Sequence, residues 1–246
     1  MAKRKYELTD ETALLAGTTV YRIRALRSFG NVSKGDLGGF IQNEKNLLHT
    51  GSCWVYEDGV VMHRAKVRDD AVAAGSAVVM DKADVSGSSQ VYDDAWVCNN
   101  AIVKDNAQVY DDAQVIDNTF VGGNAVVRGN ARILDNAFLA AKAEVRDNAQ
   151  ILDNAQVYGK ALVGGDAKVM ACAQVYGNAQ VLDNARVQDD ACVIANAVVN
   201  GQTMVCGGET VDGDSGKSPA SEGTPQVEPV PIIREDAGPL PDDLYF

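Results

Sequence analysis

Aromatic residues make up only 6% of this 246-residue chain, which excludes a core assembled around large rings and leaves small and branched aliphatics to fill the interior. Basic residues are also short: 22 Lys and Arg against 34 Asp and Glu give a formal charge of −12. That balance excludes general affinity for phosphate backbones, which needs cations to displace counterions, so no nucleic-acid partner is expected. The five cysteines, Cys53, Cys98, Cys172, Cys192 and Cys206, form no C-x-x-C pair. Their odd number and their spacing exclude a disulfide framework and a zinc site and fit a reducing compartment, the cytoplasm. No stretch reaches the roughly 18 apolar residues of a membrane span, and the basic start "MAKRKYELTDE" has no apolar run behind it. Neither a signal peptide nor a membrane partner is expected. With His49 and His63 the only histidines, a three-histidine metal centre is excluded and no metal is expected.

What the chain does have is a period of six. An aliphatic recurs at Val55, Val61, Val67 and onward through Val205 and Val211, with Ala73 the only departure from Val, Ile or Leu and no insertion between frames. The fifth place of each frame is alanine almost throughout, with Ser89 and Thr119 as small substitutes. Fifth place and next aliphatic lie two residues apart, on one face of an extended strand, so both point inward. The third and fourth places are mostly Asp, Asn or Gly, as in Asp117-Asn118 and Asp135-Asn136; these residues tolerate the turn and left-handed conformations of a corner. A helix of 3.6 residues per turn rotates a six-residue stripe off its buried face within a few frames, which excludes an α-helical reading.

The remaining architecture is a parallel coil with one short strand and one corner per hexad. This pattern resembles the hexapeptide-repeat family, which implies a left-handed parallel β-helix of triangular section, all-β, with three hexads per turn. Nine coils of 18 residues then make a prism roughly 43 Å long at about 4.8 Å per layer. The opening "YRIRALRSFGNVSKGDLGGFIQNEKNLLHTGSCWVYEDGVV" narrows the resemblance to YdcK-type hexapeptide proteins of enterobacteria, phages and prophages, which implies an acyltransferase-like label and a bacterial or infected-cell setting.

Three regions follow. Residues 1–46 lack the hexad, carry eight Lys/Arg against five Asp/Glu, and are expected to cap the first coil, because an open solenoid end exposes apolar core and unpaired strand groups. Residues 47–211 form the β-helix, which is expected to fray near Glu209, a carboxylate in an inward place. Residues 212–246 hold eight acidic and two basic residues with all six prolines, the composition of a disordered linker. Its end, "PIIREDAGPLPDDLYF", is a candidate docking peptide for a protein partner.

Function is sought in the outward second and sixth places. Taken every third frame, one face carries Met62, Met80, Cys98, Ile116, Leu134, Leu152 and Met170, with Ile102, Phe120 and Phe138 around the adjacent corner. An apolar strip about 30 Å long calls for a covering chain, so self-association is expected; the hexapeptide resemblance implies a parallel homotrimer. Tyr92, Tyr110, Arg128, Arg146, Tyr158 and Tyr176 are candidates for a small-molecule face, a nucleotide between subunits being one such ligand, although stacked tyrosines on a sheet are ordinary cross-strand packing more often than a platform.

The leading expectation is a non-catalytic, oligomeric binding or structural module without a cofactor. The alternative implied by the resemblance is an acyl-coenzyme A-dependent O- or N-acyltransferase, with His63 as general base; a virion or fibre component is the third reading. Against catalysis, the repeat is unbroken from Val55 to Val205, with no loop to close a site, and His63 stands on a corner beside Arg64.

Overall fold

The computed structural model describes residues 4–213; the tail from residue 214 on, including the candidate docking peptide, lies outside the described residues. The chain opens with β1 (Tyr6–Leu15), β2 (Thr18–Ala25) and β3 (Leu37–Ile41), and continues as strands of two or three residues from β4 (Trp54–Val55) to β30 (Thr210–Asp212). Among the described residues there is no helix, and none therefore long and apolar enough to cross a membrane. The short strands stack in parallel into three sheets, each strand pairing with the one three places along the chain. The result is the left-handed β-helix, a solenoid of about ten turns of some 18 residues. The hand runs against the right-handed crossover rule; the connection between neighbouring strands of one sheet is here the rest of a coil, with two further short strands, rather than a helix packed across the sheet.

Every third-place residue from Glu57 to Gly207 has a positive φ, including Asp117 at 68°, Asp135 at 61° and Gly165 at 68°. A non-glycine residue there costs roughly 1–2 kcal/mol, least for Asn and Asp, which explains the composition of this place. Gly165 meets a second constraint, since a Cβ added to it would lie 2.8 Å from the backbone nitrogen of Asp183 in the next coil. The fourth-place N–H is used by the ladder, as where Asn136 donates to the Asp153 carbonyl at 2.8 Å. The third-place N–H is instead taken by the third-place carboxylate of the preceding coil: Gly129 donates to Asp111, Gly165 to Asp147, Ala171 to Asp153 and Gly201 to Asp183, each at 2.9 Å. Beside these, the asparagine side chains of Asn100, Asn118, Asn136 and Asn154 bond in sequence along one edge. The acidic corners are thus backbone acceptors that join coil to coil.

Inside, the fifth-place alanines and the aliphatics form one continuous core, almost all fully buried, from Val55 to Val211. Thr119 is buried without a partner for its hydroxyl, whereas Ser89 donates to the Ser86 carbonyl at 2.8 Å.

Two boundaries differ from the sequence expectation. The helix begins before residue 47, since Phe40-Ile41 pair in parallel with Val60-Val61 and Leu47 bridges to Val67. Those partners are 20 apart, whereas Val55 and Ala73 begin the regular spacing of 18. The first coil therefore carries two extra residues between Leu47 and Val55, which hides it from a strict six-residue register. At the far end the ladder does not fray at Glu209: the Cys192 N–H bonds its carbonyl at 2.8 Å, and Val211 is buried, while the Glu209 side chain itself is exposed.

The cap is an antiparallel hairpin, β1 with β2, whose second strand pairs antiparallel with β3 and so extends the first sheet of the prism. It closes the open end with Tyr6, Phe29 and Ile23 around Trp54. Trp54 occupies a sixth place, outward by the repeat, yet is fully buried because the cap covers it. Tyr6 donates its hydroxyl to the Leu47 carbonyl at 2.7 Å, and the buried Lys5 ammonium donates to the Cys53 carbonyl at 2.8 Å, 3.2 Å from the Cys53 sulfur. Burial pulls the Lys5 pKa down and pushes those of Cys53 and Tyr6 up.

Candidate functional site

The outward columns are set by sheet register. In the first sheet Val79, Val97, Val115, Ile133, Ile151 and Val169 pair in succession, so the residue following each, from Met80 through Cys98, Ile116, Leu134 and Leu152 to Met170, falls in one column. Met62 heads this column. Met62 and Cys98 are buried and the others half-buried, because unbranched and γ-branched side chains one coil apart lie over one another. At the head of the column the cap contributes cover: Val20 and Leu15 pack with Phe40, Val60, Met62, Val78, Met80 and Trp96. Burial, with the charges of Asp81 and Asp117, pushes the Cys98 thiol up to about 12, so it stays protonated at neutral pH.

Around the corner, Ile102 pairs with Phe120 and Phe120 with Phe138 in the second sheet. The two phenylalanine rings stack at 4.9 Å and 6°, and Ile102 and Phe138 remain 40% and 37% exposed. These positions and the methionine-leucine column flank one edge of the prism, along which the asparagine ladder runs. Between Cys98 and Phe138 the edge is apolar on both sides, with a hydrogen-bonded spine in which the asparagine ladder runs beside the third-place carboxylates of Asp117 and Asp135.

The candidate ligand residues do not form one face. Tyr92 and Tyr110 stack at 4.8 Å and 7° beside the third sheet, in the column that continues to Arg128 and Arg146. Tyr158 and Tyr176 stack at 4.9 Å and 4° beside the second. Arg128 is held by Glu144 at 2.9 and 3.0 Å, and Arg146 lies 3.6 Å from Asp147. Burial, followed by the neighbouring Tyr110 and the charges of Asp93 and Asp111, raises the Tyr92 pKa. The columns are thus two separate stacks, each packed along its own strand ladder.

His63 has a positive φ of 58° at its corner. Its Nδ1 lies 3.0 Å from Asp81 Oδ1, one coil on, and its Nε2 lies 3.5 Å from the Thr18 hydroxyl on the cap hairpin. The Asp81 contact follows from the 18-residue stacking rule, since His63 and Asp81 hold the same place in successive coils. His63 also lines an open groove of about 730 Å³ along the corner of the first three coils, with Lys45, Asn46, Arg64, Lys66, Lys82 and Asp84 among its walls. Among the described residues no cluster of three or more His, Cys, Asp or Glu has metal-binding geometry.

No protein-family profile matches the chain, and no curated protein is similar to it.

Proposed function

We propose that the protein is a rigid, self-associating β-helix that serves as a binding or structural module, in the phage, prophage or bacterial cytoplasmic setting implied by its resemblance to YdcK-type proteins. The observation that carries this reading is the in-register apolar column from Met62 to Met170, paired across one edge with Ile102, Phe120 and Phe138. A solvated edge has no physical need for apolar residues at consecutive outward places, and the other columns of the same prism mix charged, polar and apolar residues freely. Burying such a strip against a second chain gains roughly 25 cal/mol for each Å² of apolar surface removed from water. A parallel homotrimer is the arrangement we favour, from the hexapeptide resemblance, with grooves between the chains open to a small molecule such as a nucleotide.

The double substitution Leu134→Asp with Leu152→Asp tests the interface. It adds two charges to the middle of the strip without altering an inward place. The expected outcome is a monomer by size-exclusion chromatography with light scattering, with β-sheet circular dichroism unchanged. An assembly that survives the change contradicts the interface.

One observation favours a second reading, an acyl-coenzyme A-dependent acyltransferase: the 3.0 Å approach of Asp81 to His63 is the kind of contact that orients an imidazole as a general base. Against it stands the unbroken repeat, which supplies no loop to enclose a reacting acyl group. Under the preferred reading, assays with acetyl-coenzyme A and a panel of alcohol and amine acceptors give no turnover. Turnover that is lost on His63→Ala overturns that reading in favour of the second.

A further inference from the structure

The groove along the corner of the first three coils has a charge opposite to that of the molecule around it. Four of its lining residues are Lys45, Arg64, Lys66 and Lys82, on a chain whose net charge is −12. All four are exposed, and none makes an ion pair with another described residue. Asp84, the acid on the wall, is already engaged by the Arg68 guanidinium at 2.9 and 3.2 Å. Asp81 is turned to His63. Asp84 is therefore already paired with a cation outside the groove, and four cations remain against the one charge of Asp81.

The cations are also held in relation to one another by the fold. Arg64 and Lys82 occupy the same corner place in successive coils, about 4.8 Å apart along the prism, and the Arg64 N–H bonds the Asp81 carbonyl at 2.7 Å. Lys66 stands one strand position beyond that corner, paired in register with Asp84. Lys45 comes from the segment before the regular repeat. Asn46 pins that segment to the corner, donating to the carbonyls of His63 and Ala65 at 3.2 and 2.9 Å. In the next two coils the same corner place holds Asn100 and Asn118, so the basic character ends with the third coil.

From this geometry we infer that the groove is a binding site for a small molecule carrying a diphosphate group, as in a nucleoside diphosphate. A concave surface lined by one sign of charge focuses the field and concentrates counter-ions, and guanidinium and ammonium groups donate charge-assisted hydrogen bonds to phosphate oxygens. Cations in three successive coils, Lys45 in the first, Arg64 and Lys66 in the second and Lys82 in the third, span more than one phosphoryl group. The groove volume of about 730 Å³ exceeds what the phosphates need and leaves room for an attached nucleoside. This site lies within one chain and requires neither self-association nor transfer chemistry.

Isothermal titration of the full chain with inorganic pyrophosphate, ADP and adenosine, at low ionic strength and again in high salt, tests the inference. Pyrophosphate and ADP are expected to bind saturably and more weakly in salt, and adenosine not to bind. ADP binding more tightly than pyrophosphate shows that the nucleoside shares the groove. Arg64→Glu with Lys82→Glu is expected to weaken binding at least about tenfold. The matched control is Lys142→Glu with Lys160→Glu, which reverses two cations one coil apart on a corner without a cap and is expected to leave affinity unchanged. If the first pair disturbs the circular dichroism spectrum, Lys45→Glu with Lys66→Glu replaces it. Absence of saturable pyrophosphate and ADP binding, adenosine binding as well as ADP, or an equal loss in the control overturns the assignment.

Discussion

Ala171, with a φ of 58°, holds a corner conformation that its side chain does nothing to support. An aspartate at the same place recovers part of the left-handed penalty by accepting the N–H of the next coil; alanine cannot, and it pays the cost without return. Ala171→Gly is therefore expected to stabilise the protein by about 1 kcal/mol. Its backbone N–H keeps the 2.9 Å bond to Asp153 whatever side chain it carries. Chemical denaturation at equilibrium checks the sign: in an ordinary strand or helix the same change destabilises. The Asp, Asn and Gly preference of the corners was legible in the sequence as turn chemistry. Its second half was not, because nothing in a hexad read on its own says that the third-place carboxylate reaches the third-place N–H eighteen residues on.

At the level of the element, the repeat was legible because each strand needs only one inward aliphatic and one alanine, and the chain states that need without interruption. The cap was harder to read for the opposite reason. Its hairpin strands are long and without the hexad, the first coil carries two extra residues, and Trp54 is buried by tertiary cover that no periodicity announces. The cap joint also has its own pH response. His49 lies against Tyr6, ring centroids 4.5 Å apart and planes tilted by 32°, and accepts the Lys5 N–H at 3.3 Å, and burial lowers its pKa below the ordinary 6.5. As pH falls below that value the unfolded chain takes up the proton first, so stability present above pH 6.5 is lost as pH drops toward the folded value. His49→Gln, which can still accept the Lys5 N–H, is expected to flatten this loss between about pH 6.5 and pH 5. Denaturation midpoints of the two proteins across that range make the comparison, and parallel slopes contradict it.

For the whole molecule, packing fixes the inward places and leaves the outward ones free, so the choice of residues there carries the functional information. The methionine-leucine column and the Ile102, Phe120 and Phe138 column could be sorted onto neighbouring sides of one edge from the period alone, because an 18-residue coil is simple arithmetic. The separation of the two tyrosine pairs onto different sheets follows from the same arithmetic. The basic groove was not legible, since Lys45 joins Arg64, Lys66 and Lys82 only after the pre-repeat segment folds against the corner. Self-association is the claim on which the preferred function rests, and native mass spectrometry of the intact chain tests it most directly. The account predicts an oligomer, with three chains as the favoured number. A monomer across the micromolar range would contradict it and leave the apolar edge without its proposed partner.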